Sequence, residues 1–317
     1  MDRLDLRILR ELIQGQATSP LDPNFRKSYR TIARVVGVDE HTVRNRVKRF
    51  HDTGFIQDWR CVVNPRLGGA GAVAAWFDVP PGIPKGDLVE QLRLVPDVYL
   101  VVRFLGSLMS VVFLVRTEAS ARSRLELLRR MSKAERVNAG RDPFPPCGDA
   151  LSESDRRILQ SLSRHPRRPY AAISKDVGLS SRTVKRKLDR LSQQGVVFAF
   201  PSLNPKALTG SAMAAVMVTY PPDRKEALDR EIAIRLDPYL WHVFHMLPFE
   251  SGDVVPCHFN VMLPNPAVIA EIRRWLRRLE GLGSARVELF EEVHTMYEPF
   301  ETLMEDIAGR ARVAIHT

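Results

Sequence analysis

A chain of 317 residues with 44% apolar and 26% charged side chains is too long for one small core and too evenly composed for a disordered or fibrous protein, so roughly two to four folded domains are expected. Apolar stretches such as Ala70–Phe77 and Val98–Val102 fall far short of the ~20 residues that cross a bilayer, and Met1-Asp2-Arg3-Leu4-Asp5 enters an amphipathic pattern with no signal segment, which points to a cytoplasmic protein without a membrane partner. A formal net charge of +10 favours a polyanionic partner, and three scattered cysteines, Cys61, Cys147 and Cys257, argue against a disulfide framework and a zinc site, so no metal is expected.

In chain order, Leu4–Ile13 forms a helix with Leu6, Leu9 and Ile13 on one face. A loop carrying Pro20 and Pro23 leads to a second helix, Tyr29–Val36, which Gly37 ends. Asp39 is the N-cap of a third helix, Glu40–Thr53, and Gly54 closes it. A support helix followed by two helices around a tight glycine turn is the helix-turn-helix plan, whose last helix enters the DNA major groove. In that helix Val43, Val47 and Phe50 share the buried stripe, which leaves His41, Arg44, Asn45, Lys48 and Arg49 facing outward as candidate DNA contacts. The stretch Phe55–Val63 reads as a two-stranded wing in which Arg60 can meet a phosphate.

Beyond a glycine-rich junction, Gly68–Gly71, strands and helices alternate: Ala72–Val79, helix Lys85–Leu94, Val98–Phe104, Ser110–Val115, helix Glu118–Met131 and a weak last strand near Arg136–Asn138. This is the ferredoxin-like βαββαβ plan.

The whole arrangement then repeats. Leu4-Asp5-Leu6-Arg7-Ile8-Leu9 matches Ser154-Asp155-Arg156-Arg157-Ile158-Leu159; Tyr29 to Val38 matches Tyr170 to Leu179; Asn64-Pro65 matches Asn204-Pro205. In the second copy Ser180 and Gly195 bound the third helix, Val184, Leu188 and Leu191 are its buried stripe, and Arg182, Lys185, Arg186, Asp189 and Arg190 face outward. Of these, the cations Arg182, Lys185, Arg186 and Arg190 are candidate DNA contacts. His41 corresponds to Arg182, Asn45 to Arg186 and Lys48 to Asp189, so the copies offer different hydrogen-bonding groups to base edges, and two unlike half-sites are expected. Six segments follow: winged helix-turn-helix domains at 1–66 and 151–206, βαββαβ domains at 67–139 and 207–290, a Pro/Gly linker at 140–150, and an acidic helical tail at 291–317. The fold class is α+β.

A winged helix-turn-helix, an Asn-Pro dipeptide and then βαββαβ, with the opening Leu4-Asp5-Leu6-Arg7-Ile8-Leu9, resembles the Lrp/AsnC family of feast/famine transcription regulators, twice over. The resemblance implies a regulator that binds double-stranded DNA. It also implies that the two βαββαβ (RAM-type) domains, which pair between subunits in that family, pair here within one chain as an internal pseudo-dimer. Two such chains can associate further as a homodimer.

Family members often sense an amino acid with a Gly followed three residues later by Asp. Here Met109 stands three after Gly106, and Asp253 follows Gly252 directly, so an unliganded assembly domain is expected ahead of an amino-acid effector. The architecture also resembles siroheme decarboxylases, which share a His-Asn-Tyr-x-Arg type stretch. The corresponding Asp97–Arg103 has Tyr99 and Arg103 but no histidine, which leaves His242, His245 and His258 as candidates for a tetrapyrrole. His242 and His245, three apart in a strand, point to opposite faces. No catalytic constellation or cofactor motif is found, and a non-enzymatic reading is preferred.

Overall fold

The computed structural model describes residues 1–13, 26–142, 144–147, 151–162, 165–250 and 254–313. The loop with Pro20 and Pro23 and the Gly252-Asp253 pair lie outside them. Unit 1 runs α1 (Arg3–Leu12), α2 (Tyr29–Val36), α3 (Glu40–Asp52), β1 (Ile56–Val63), β2 (Gly71–Asp78), α4 (Lys85–Arg93), β3 (Val98–Phe104), β4 (Leu108–Val115), α5 (Glu118–Ser132) and β5 (Val137–Asp142). Unit 2 runs α6 (Glu153–Leu162), α7 (Tyr170–Val177), α8 (Ser181–Gln193), β6 (Val197–Leu203), β7 (Ala212–Tyr220), α9 (Lys225–Leu236), β8 (Leu240–His245), β9 (Leu247–Pro248), β10 (Val255–Leu263), α10 (Pro266–Leu276), β11 (Ser284–Thr295) and α11 (Glu298–Val313).

Local chemistry sets the helix ends. The Asp2 carboxylate accepts from the Asp5 amide while Asp5 accepts from that of Asp2, a reciprocal cap on α1. Ser28, Asp39 and Ser180 cap α2, α3 and α8 by accepting the amide three residues on. Gly37 and Gly178 end α2 and α7 at φ of 76° and 65°, a backbone conformation that costs a side-chain-bearing residue about 1 kcal/mol.

The expected wings are corrected. Neither unit folds a hairpin after its third helix; β1 pairs antiparallel with β6 of the other unit, Trp59 opposite Pro201 and Arg60 opposite the backbone of Phe200. Arg60 and Phe200 are equivalent positions of the two copies, so the pairing is symmetric about them. Each stretch has only one strand's length and finds its ladder partner in the sister copy.

In each βαββαβ domain the strand order is the ferredoxin-like one, β5-β2-β4-β3 and β11-β7-β10-β8. Helices α4 and α5 cover the outer face of the first sheet, around Val73, Ala75, Val101 and Phe113, and α9 and α10 cover that of the second, around Val216, Phe259 and Val261. The alternate residues, Ala74, Tyr99, Val102 and Val112 with Ala215, Met217 and Met246, face inward and share one core.

The two seams between the domains differ. The tail expected from residue 291 begins instead as strand: β11 runs to Thr295, and its second half pairs with β3 from Phe290 to Thr295. The opposite seam carries two ladder pairs among the described residues, Gly140 opposite Pro248 and Arg141 opposite Leu247. Gly140–Asp142, expected in the linker, are therefore the end of β5. A Cβ at Gly140 would lie 2.8 Å from Pro256 Cγ and 3.0 Å from Met246 Cβ, so this crossing needs glycine.

Candidate functional site

Helix α3 buries Val43, Val47 and Phe50 and exposes His41, Arg44, Asn45, Lys48 and Arg49; α8 buries Val184, Leu188 and Leu191 and exposes Arg182, Lys185, Arg186 and Arg190. These nine residues do not have equal freedom. Arg44 is paired with Glu40 at 2.7 Å, Lys48 with Asp52 at 2.5 Å and Lys185 with Asp189 at 2.5 Å, all exposed i,i+4 pairs worth a few tenths of a kcal/mol that a phosphate can displace. Among the described residues Asn45, Arg182 and Arg186 have no intramolecular hydrogen-bond partner.

Arg49 and Arg190 are tied inward. Asp5, 1% exposed, receives Arg49 on one oxygen and Arg46 at 2.9 Å on the other. In unit 2 Asp155, 0% exposed, receives Arg190 at 2.6 Å and Lys187 at 3.0 Å. Burial opposes the ionisation of Asp155, but hydrogen bonds from Ser152, Lys187 and Arg190 outweigh it and hold its pKa down at about 2. Each support helix thus clamps its recognition helix through one buried carboxylate. Arg60, read as a phosphate contact, is also committed: it pairs with Asp58 at 2.8 Å and Glu301 at 3.0 Å and lies over the ring of Tyr297.

The two heads touch. Arg26 donates to the carbonyls of Pro166 and Arg168, both at 2.6 Å, and stacks on Tyr170, while Arg167 donates to the carbonyl of Lys27 and stacks on Tyr29. The sequence reading missed this exchange, although Arg26 and Arg167 hold equivalent places three residues before the aligned tyrosines.

A second feature lies between the inner faces of the two sheets, a cavity of about 330 Å³ bounded by Tyr99, Phe198, Trp241, His242, Phe244 and His258 among others. Burial keeps His258 down at about 3, and burial with the nearby His245 keeps His242 down at about 4, so both imidazoles are neutral near pH 7. Asp142 is pushed up to about 6 by burial, against the opposing effect of its hydrogen bond with Tyr99. Of the stretch compared with the decarboxylases, Tyr99 lines the cavity, but Arg103 binds Glu291 at 3.0 Å and Glu292 at 2.7 Å outside its lining. Met109, where an amino-acid sensor would carry Asp, is fully buried in the outer core.

His242 and His245, expected on opposite faces, both line the cavity, but His245 turns its Nδ1 to Asp229 at 3.3 Å and to the Cys257 sulfur at 3.6 Å. The Asp229, His245 and Cys257 ligand atoms lie within 4.8 Å of one another, a spacing compatible with a metal ion. The Lys225 ammonium already binds Asp229 and approaches His245 Nδ1 at 3.5 Å, and Tyr220 donates to the same carboxylate. A cation of the protein's own therefore holds the place a dication would take. Burial works against Asp229, but bonds from His245, Lys225 and Tyr220 hold it down at about 2.

Two helix-turn-helix heads on paired ferredoxin-like domains define a class, the duplicated helix-turn-helix protein with an internal pseudo-dimer. Residues 1–51 match the AsnC-type helix-turn-helix domain and residues 151–197 a winged helix-turn-helix DNA-binding domain. An HTH-type transcriptional regulator of Pyrococcus furiosus is 32% identical over 145 residues, covering 43% of this chain and 89% of that protein. The regulator Ptr1 of Methanocaldococcus jannaschii is 43% identical over 74 residues, 23% of this chain and 44% of its own length. The chain spans about half the length of several such relatives, from 37% to 57%. Over the whole chain the fold is similar to the siroheme decarboxylase NirDL, with a TM-score of 0.55 at 14% identity and coverage of 98% and 100%. The chain belongs to the Lrp/AsnC family of helix-turn-helix proteins. Among the described residues no helix is long and apolar enough to cross a membrane.

Proposed function

We propose that the protein is a cytoplasmic transcription regulator that binds double-stranded DNA through α3 and α8 and reads two unlike half-sites. The observation that carries this reading is the pair of outward faces, Asn45 on one head and Arg182 with Arg186 on the other, exposed and without internal partners while the stripes beneath them are buried. A solvated surface helix needs no such duplicated, cap-defined frame, and Arg and Asn are the side chains that read guanine and adenine edges in the major groove. Arg44, Lys48 and Lys185 serve the phosphates, and Arg49 and Arg190 do so with the half of each guanidinium that faces solvent. One chain supplies both heads, and the reading requires no reaction chemistry. Amino-acid sensing is left out of it, since Met109 is buried where the sensing carboxylate would stand.

The test is a salt titration of binding to random duplex and to the protein's own upstream DNA, with Arg44→Ala/Asn45→Ala and Lys185→Ala/Arg186→Ala beside the wild type. Affinity should fall steeply with salt, and each phosphate contact removed should lower the slope by about one. The whole-chain fold likeness to a siroheme decarboxylase favours a second reading, an enzyme acting on a tetrapyrrole in the inter-sheet cavity. No binding at low salt, with a Soret band on adding an iron uroporphyrin, would replace the regulator by that enzyme.

A further inference from the structure

The cavity between the sheets is more than a packing defect. At about 330 Å³ it is roughly twice the apolar cavity of about 150 Å³ known to admit benzene, and it falls within the range of small-molecule sites. Three residues of its wall carry buried polar atoms with no hydrogen-bond partner among the described residues: Trp241 Nε1, His242 Nδ1 and Thr295 Oγ1. Each such orphan costs about 1–3 kcal/mol, so this wall is less completely satisfied than an ordinary core.

The lining also says what the guest is not. It contains no lysine or arginine, and its one carboxyl group is Asp142. His242 and His258 are neutral near pH 7, and His245, the third imidazole of the lining, turns its Nδ1 to Asp229 at 3.3 Å. An anion would enter with no lysine or arginine to meet it, beside a carboxyl group and a His245 already turned to Asp229, which a buried site does not repay. A zwitterionic amino acid and a polycarboxylate tetrapyrrole would each bring such an anion, and a neutral guest would not.

Position supplies the last element. Val62 of β1 with Phe198, Ala199 and Leu203 of β6 form one side of the cavity, and this ribbon leads directly from both recognition helices. Ile13, the C-cap of α1, lines the same space. Trp241 reaches from the cavity into the core of the first head, and Arg10 of α1 fastens to the carbonyls of Asp237 and Leu240 beside it.

We infer that this cavity is an effector site for an uncharged, largely apolar small molecule of about bicyclic size, whose binding shifts the two recognition helices relative to each other. The inference rests on the regulator reading, and its test separates the two. Indole, neutral and bicyclic with one N–H, is the probe, followed by calorimetry and thermal melting without DNA, and then by DNA titration with and without saturating indole. Saturable one-to-one binding is expected, weakened about tenfold by Ala215→Leu and by His242→Phe, which fill the space from either side of Asn260 on one wall; melting and circular dichroism establish which variants are folded. Indole should change the affinity for upstream DNA by about threefold or more, and DNA should change the affinity for indole by the same factor.

No indole binding up to its solubility overturns the site. Binding that both folded variants leave intact places indole elsewhere and overturns it equally. Tighter binding of iron uroporphyrin than of indole overturns the neutral ligand class, and indole binding that leaves DNA affinity unchanged overturns the effector role. Failure to bind DNA with or without indole strikes the regulator reading and with it the effector role; the indole measurements made without DNA then decide the ligand site by themselves.

Discussion

Arg26 lies over the ring of Tyr170 with its guanidinium carbon 4.5 Å from the ring centroid, and the sister residue Arg167 lies over Tyr29 at 4.8 Å. The exchange locks two heads that the chain separates by an entire βαββαβ domain. Each stack is worth about 0.5–2 kcal/mol, little for folding but enough to fix the spacing at which two half-sites are read. Arg26→Ala/Arg167→Ala should lower affinity for a duplex with two half-sites about tenfold and for a single half-site less than about twofold, because only the former depends on the effective concentration of the second head. Fluorescence anisotropy on the two duplexes checks this.

Asp5 and Asp155 hold the recognition helices from beneath. Asp5→Asn or Asp155→Asn leaves two cations against a neutral amide at a buried position and should cost about 2 kcal/mol, less than a fully buried pair because the cations are partly solvated. Melting should fall by about 5 °C. For Asp155, whose pKa is depressed, the stabilisation is present above the unfolded pKa near 4 and is lost as pH falls toward 2. Asp155→Asn should therefore abolish part of the wild type's acid sensitivity in that window.

His242 and His258 make the opposite end of the acid range informative. Their folded pKa values lie below the unfolded value of 6.5, so the unfolded chain binds more protons and stability falls as pH drops from 6.5 toward 4. By pH 5 the loss reaches up to about 2 kcal/mol for each. Asp142 acts in the other sense: with its pKa raised to about 6, its contribution is full below about 4 and lost as pH rises through 6, so acidification from pH 7 to 5 returns about 1 kcal/mol. Denaturant melts should show a net loss on acidification that His242→Gln/His258→Gln removes. Asp142→Asn should raise stability at pH 7 and deepen the loss.

Helix α11 packs on β1, β3 and the turn that carries Gly68. Tyr297, Phe300 and Leu303 are buried, Phe300 packs 5.0 Å from Tyr99, and a Cβ at Gly68 would fall 2.2 Å from Leu303 Cδ1. Phe300→Ala should cost about 3–4 kcal/mol and Gly68→Ala should be destabilising despite its small size, both read as lower denaturant midpoints. An unchanged midpoint for both would remove α11 from the core.

The repeat, the helix caps, the buried stripes of α3 and α8 and the two ferredoxin-like strand orders were all legible in the residues. They depend on periods and on neighbours three or four positions away, which a linear reading carries. The nine outward residues were placed on their faces for the same reason.

What escaped was every choice of distant partner. An apolar strand such as Val197–Leu203 has the same pattern whether it folds back on its own unit or pairs with Ile56–Val63, and only the pseudo-twofold assembly selects the second. Arg49 and Arg190 look like free cations on a helical wheel, because the carboxylates that hold them lie on other helices. Glu291–Thr295 has the acidity of an exposed tail, yet Arg103 and Lys206 supply the charges that let it zip onto β3. The cavity is the extreme case: its aromatic and imidazole walls come from both units, and an empty volume between two surfaces is a property of neither surface by itself.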